Sequence, residues 1–199
     1  MVDALDIKAL KRKLSKYDYD EQRIVGIILA RYDLPFVQAI VDSCYLYWHH
    51  NTGRHLDIFW AGYGEYLCPN EETATKIILK FPNNKTRIYY DTLAFISIKN
   101  EFNQIFKNNY LDQMQLILVN YHNGKLNFEE SMKIDLEENL DTNFATIRTL
   151  IEFITNECRS ISSVTDLARK LNAMHIKDYL KKQIKGITLS DIIKAAIKI

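Results

Sequence analysis

The stretch from Gln115 to Leu136 constrains the fold of this chain more than any other. Gln115 to Tyr121 is a fully apolar strand pattern that runs into His122-Asn123-Gly124-Lys125. Asn-Gly between two strand patterns signals a two-residue hairpin, because the tight turn needs positive φ at both central residues. The return strand alternates, with Leu126, Phe128, Met132, Ile134 and Leu136 on one face and Asn127, Glu129, Ser131, Lys133 and Asp135 on the other. Such alternation predicts a register pinned on both sides.

Upstream, Val2 to Lys16 spaces Leu5, Ala9, Leu10 and Leu14 as one face of a helix. Arg23 to Arg31 holds Ile24, Val25, Ile27, Ile28 and Leu29 without alternation, which predicts a strand buried on both faces. Asp33-Leu34-Pro35 is helix-start chemistry, and Phe36, Ala39, Ile40, Cys44 and Tyr47 share a face of the helix that follows. Asn51-Thr52-Gly53 ends that helix, and Leu56 to Trp60 forms a second short strand, completing a βαβ unit. Ala74 to Phe81 fits strand or helix, and Arg87 to Tyr90 fits a strand. Asp91 caps a helix bearing Phe95, Ile98, Phe102, Ile105 and Phe106, and Asp141 or Thr142 opens another that runs to Cys158. Three short helices then follow, over 163–172, 174–185 and 188–198.

With 199 residues, 47% hydrophobic and 26% charged, the chain has the length and composition of one globular body. Its net charge of +1 is unevenly spread: residues 160–199 carry eight positive and three negative groups, net +5, which leaves −4 for residues 1–159. The split predicts an α/β domain over 1–159 and a basic helical tail over 160–199. Cys44, Cys68 and Cys158 are odd in number and contain no Cys-x-x-Cys, a pattern of neither zinc nor a disulfide framework. They read as buried thiols in a reducing cytoplasm. The first sixteen residues mix charges among the apolar ones, and the longest apolar run, Ile24 to Ala30, is far short of the roughly 20 residues that span a bilayer. These features predict a soluble, cytoplasmic protein.

The order β (24–30), α (35–49), β (56–60), α (92–107), β (115–121), β (126–136), α (142–158) resembles that of thioredoxin-like proteins. The resemblance implies an α/β fold with a mixed central sheet and a C-terminal helical tail. Arg31 to Pro35 stands where that family carries its redox cysteines and reads Arg-Tyr-Asp-Leu-Pro, and no proline precedes Gln115. The resemblance therefore implies a redox-inactive relative. The run from His49 to Gly64 and the Asn-Gly hairpin are similar to those of small bacterial α/β proteins of conflict and anti-phage loci.

His49, His50, His55 and Asp57 fall within nine residues, and imidazole with carboxylate suits zinc, copper or iron. Their spacing matches no metal signature, and His49 and His50, being adjacent, point apart on a helix and suit its C-terminal dipole. Asp33, Asp57 and Asp91 lie at or near strand ends, where they could hold a cation or act as acid and base; capping accounts equally for Asp33 and Asp91. The Glu-x-Lys of restriction-type nucleases is absent. Glu130 stands on the apolar face of the return strand, so it requires a cation, a proton, or a bulge. Ala61-Gly62-Tyr63-Gly64 lacks the pattern of a phosphate loop and reads as close backbone packing or a turn. In the tail, Arg169, Lys170, Lys177, Lys181, Lys182 and Lys185 could meet phosphates or an acidic partner.

The sequence thus predicts a non-enzymatic interaction or accessory subunit of a bacterial multi-protein system, one of anti-phage defence by the second resemblance. No cofactor and no metal are expected, and the partner is a protein or a second copy rather than a membrane. Two alternatives stay open. One is a metal-dependent hydrolase or nuclease-type effector using the strand-end acids and the 49–57 histidines. The other is a nucleic-acid binder acting through the tail.

Overall fold

Ile24 to Leu29 lack alternation because a strand lies on each side of them and helices cover both faces. The computed structural model describes residues 2–4, 7–52, 55–65, 76–80, 87–106, 113–136 and 140–173. Its elements in chain order are β1 (Val2–Ala4), α1 (Ile7–Leu14), β2 (Arg23–Leu29), α2 (Pro35–Asn51), β3 (Asp57–Ala61), β4 (Tyr63–Glu65), β5 (Lys76–Lys80), β6 (Arg87–Tyr90), α3 (Thr92–Phe106), β7 (Met114–His122), β8 (Lys125–Leu136), α4 (Leu140–Glu157) and α5 (Val164–Ala173). The result is a mixed α/β architecture.

The main sheet has the order β1-β3-β2-β7-β8. β1 and β2 run parallel to β3, β7 runs antiparallel to β2, and β8 antiparallel to β7. Arg23 stands opposite Tyr121 and Leu29 opposite Gln115, while Val25 stands opposite Asp57 and Ile28 opposite Trp60. Side chains alternate across the sheet, so Arg23, Asp57 and Tyr121 share one face, and Ile58 and Trp60 share the other. On the first face Tyr121 donates a hydrogen bond to the Leu14 carbonyl at the end of α1, and α1 touches α3. On the second, Trp60 packs against Tyr45 and Trp48 of α2, and α2 touches α4. At Gly26 a Cβ would come within 3.2 Å of Ile58 Cγ1, so glycine lets β3 and β7 side chains close over the middle of β2.

The N-terminal segment departs from the sequence reading, and the ambiguous stretch is resolved as a strand. Val2–Ala4 is an edge strand in register with Phe59–Ala61, and the helix expected from Val2 begins only at Ile7. The ambiguous stretch contributes β5 to a small antiparallel sheet of order β4-β6-β5. The chain enters this sheet through Gly62, whose φ of +80° and whose gap of only 2.7 Å between an added Cβ and Phe95 Cβ admit no other residue without strain. Here the expectation of close backbone packing at Ala61-Gly62-Tyr63-Gly64 matches the geometry.

The hairpin turn forms as the sequence requires, with φ of 51° at Asn123 and 73° at Gly124. The single apolar face expected for β8 does not. Val119 stands opposite Ser131, but the next residue, Asn120, stands opposite Asn127, so 128–130 bulge out of the ladder. An odd insertion reverses the alternation beyond it. Met132, Ile134 and Leu136 therefore share a face with Leu118, Leu116 and Met114, whereas Leu126 shares the face of Tyr121.

The segment that charge sets apart, from Ser160, begins with α5. Its Val164, Leu167, Ala168 and Leu171 recur at helical spacing and are buried in the same core as the sheet. The helices expected over 174–185 and 188–198 lie outside the described residues. No helix among the described residues is long and apolar enough to cross a membrane.

Candidate functional site

The five acids and histidines singled out by sequence are divided between distant parts of the fold. Asp33 lies just past the C-terminal end of β2, where Arg31 grips it bidentately, Nε to Oδ1 at 3.0 Å and Nη2 to Oδ2 at 2.5 Å. The guanidinium holds its carboxyl below the usual range. It does not cap α2: Leu34 occupies the N-cap position without a side-chain bond, because Asp33 is engaged with Arg31. Behind it Tyr32, Tyr63 and Tyr90 stack with centroids 5.0–6.4 Å apart, and the Tyr63 hydroxyl donates to the Ala30 carbonyl at 3.0 Å. Burial raises the Tyr90 phenol above its usual value. Aromatic packing fills the end of β2.

Asp91 is buried and does cap: its Oδ1 accepts the Ala94 N–H at 2.9 Å, and its own N–H donates to the Gly62 carbonyl at 2.8 Å. This is the N-cap arrangement expected of an aspartate ahead of a helix.

Asp57 starts β3 at the opposite end. Val25, its register partner, precedes Leu29 by four residues, so the strand alone separates Asp57 from the end of β2 by roughly 13 Å. Asp57 is 8% exposed, accepts a short hydrogen bond from the Tyr17 hydroxyl, and lies 3.2 Å from Arg23 Nη2. Arg23 also reaches Glu21 at 3.0 Å, and its guanidinium sits 4.6 Å over the Tyr17 ring, which meets Tyr121 edge-on at 5.0 Å. Burial first, and then the bond to Asp57, raise the Tyr17 phenol far above its ordinary value. One guanidinium thus answers both Asp57 and Glu21, and the phenol supplies Asp57 with the hydrogen bond that a buried ion pair needs to offset desolvation.

His55 lies two residues before Asp57, half-buried, while His49 and His50 belong to the last turns of α2 and His122 ends β7. Glu130 is not on an apolar face. It occupies the bulge, exposed, and accepts the Asn120 side-chain N–H at 2.5 Å; Asn120 Oδ1 in turn accepts the Val164 N–H at 2.8 Å. Among the described residues no three His, Cys, Asp or Glu come together in a metal-holding group. Of the tail cations, Arg169 pairs with Asp166 at 2.8 Å and Lys170 pairs with Glu157. Lys177, Lys181, Lys182 and Lys185 lie outside the described residues.

Among the described residues lies a recess that sequence reasoning missed. A cleft of about 200 Å³ lies between α2 and α4, lined among others by Tyr47, Trp48, Glu152, Thr155 and Arg159. Tyr47 donates to Glu152 Oε1 at 2.6 Å, Arg148 Nε donates to the same oxygen at 2.9 Å, and the guanidinium lies 4.3 Å over the Tyr47 ring. These two donors, the phenol foremost, hold the Glu152 carboxyl below its usual range. Tyr47 and Glu152 stand 105 residues apart, each on a helix whose apolar face is its only pattern, so no local signal joins them. The cleft is smaller than the roughly 300–1,000 Å³ of ordinary ligand pockets. Its polar groups lock α2 to α4.

No family model, no curated protein and no solved structure matches the chain.

Proposed function

We propose that the chain is an accessory subunit that works by contact, built on a thioredoxin-like body without redox chemistry. The sheet order β1-β3-β2-β7-β8, with its parallel and antiparallel halves and its helices paired on two faces, supports the thioredoxin-like reading. The state of the two described cysteines carries the functional one; Cys68 lies outside the described residues. Cys44 and Cys158 are both buried in the core, and desolvation raises each thiol, Cys158 to about 12. A thiol held in its neutral form is neither a nucleophile nor a metal ligand. At the end of β2, the Arg31–Asp33 pair stands in place of a thiol. Asp33 and Asp57 are engaged in ion pairs and Asp91 in a helix cap, at separate places, which supports a surface role.

Purification of the full chain from its own cells tests the proposal. A protein partner in fixed stoichiometry is the expected result. Stoichiometric zinc or manganese, lost from a folded His55→Ala variant, would replace it with the metal-dependent reading.

A further inference from the structure

We propose that the outer edge of β8 pairs antiparallel with β8 of a second copy, about a two-fold axis through Ile134. This rests on reading the chain as a contact module and names one contact. Among the described residues β8 is the last strand of the main sheet, and at twelve residues it is the longest. An edge strand offers unpaired backbone groups to another chain unless a bulge, a proline or isolated charges blunt it. Here the bulge is confined to 128–130. From Ser131 to Leu136 the strand follows β7 residue by residue, from Val119 to Met114. This half contains no proline, and its one cation, Lys133, lies 3.6 Å from Asp135, so it carries no net charge.

The order Met132-Lys133-Ile134-Asp135-Leu136 is self-complementary. With the axis at Ile134, Lys133 stands opposite Asp135 of the second copy and Asp135 opposite its Lys133, while Met132 stands opposite Leu136. Directly opposed residues in an antiparallel pair interact, favourably for unlike charges and unfavourably for like ones. An axis through Lys133 or Asp135 would oppose like charges. An axis between two residues would set the apolar face of one copy against the polar face of the other. The Ile134 register satisfies both requirements and sets both charged residues against opposite charges, and a two-fold contact of this kind closes as a dimer. The five residues Met132–Leu136 that pair make a small interface, so the dimer is a weak one, of about micromolar affinity.

Sedimentation of the full-length protein between about 1 and 100 μM tests it. The wild type is expected to dimerise reversibly. Lys133→Asp opposes carboxylates twice across the axis and should weaken the dimer about tenfold or more. The double variant Lys133→Asp with Asp135→Lys restores opposite charges and should recover the dimer. Should Lys133→Asp not fold, Asp135→Lys, which opposes lysines, serves in the same comparison with the double variant. A wild type that stays monomeric at the highest concentration overturns the proposal, as does a dimer that the single variants leave unmoved. A monomer that still purifies with a stoichiometric partner overturns the self-pairing alone and leaves the contact-module reading standing.

Discussion

The Tyr17 phenol donates its hydrogen bond to Asp57, forty residues further along the chain, and so ties the loop after α1 to the start of β3. Both the phenol and Arg23 contact this nearly buried carboxyl group. Tyr17→Phe, which leaves Asp57 with Arg23 alone, should cost about 1–3 kcal/mol. Asp57→Ala should cost more, about 3–5 kcal/mol, because it breaks the nearly buried ion pair, leaves Arg23 with Glu21 alone and removes the acceptor of the Tyr17 phenol. Urea denaturation of the two variants checks the order; equal losses would mean that the phenol and not the ion pair dominates.

Asn120 serves two elements at once, accepting from Val164 N–H and donating to Glu130 at the bulge. Asn120→Ala removes the acceptor that anchors the first turn of α5. The amides of Leu167 to Leu171 should then exchange faster with solvent, while those of Ile24 to Leu29 keep their protection. Uniform acceleration across both would show that Asn120 supports the whole sheet instead.

The lock between α2 and α4 carries a definite pH sign. Because the folded pKa of Glu152 lies below its unfolded value of 4.5, its contribution to stability is present above about that pH and is lost as the pH falls through the folded value. Glu152→Gln should therefore be less stable than wild type at neutral pH. The gap should narrow as the pH is lowered into the acid range, as read from urea midpoints at matched pH. A gap independent of pH would assign the difference to packing.

Cys44 and Cys158 should resist alkylation of the native protein at about pH 8 and react once it is unfolded, since burial keeps both as thiols. Peptide mapping by mass spectrometry identifies each site. Labelling of either in the native state, at the rate of a free thiol, would contradict the redox-inactive reading.

Gly62→Ala should destabilise by about 1–3 kcal/mol, combining a positive φ with a Cβ driven into Phe95. Thermal unfolding measures it, and an unchanged midpoint would mean that α3 can shift away freely.

What the sequence made legible is local. Asn123-Gly124 dictated the turn because few residue pairs tolerate two successive positive φ angles, and the apolar run of β2 declared a strand with no wet side. The bulge after Asn127 left one mark, Glu130 at an apolar parity, but its effect on the faces was hidden, since Leu126 and Phe128 keep the parity of Met132 in sequence while the inserted residues reverse it in space. β1 has three residues, too few for any period to register. Asp33 was legible as a strand-end acid but not as the partner of Arg31, because a helix cap and a bidentate pair ask for the same residue type. Arg23, Asp57 and Tyr17 unite three separate segments, and only the register of β2 against β3 brings them together.

The Asp91 N–H donates to the Gly62 carbonyl, so the polypeptide leaves the main sheet and rejoins it at neighbouring points. Just beyond them Tyr63, Ile88 and Tyr90 sink into the same core as the five strands, so the small sheet is fastened along an aromatic seam as well as at its roots. The two sheets must therefore move as one body, since any sliding between them would first have to part that seam.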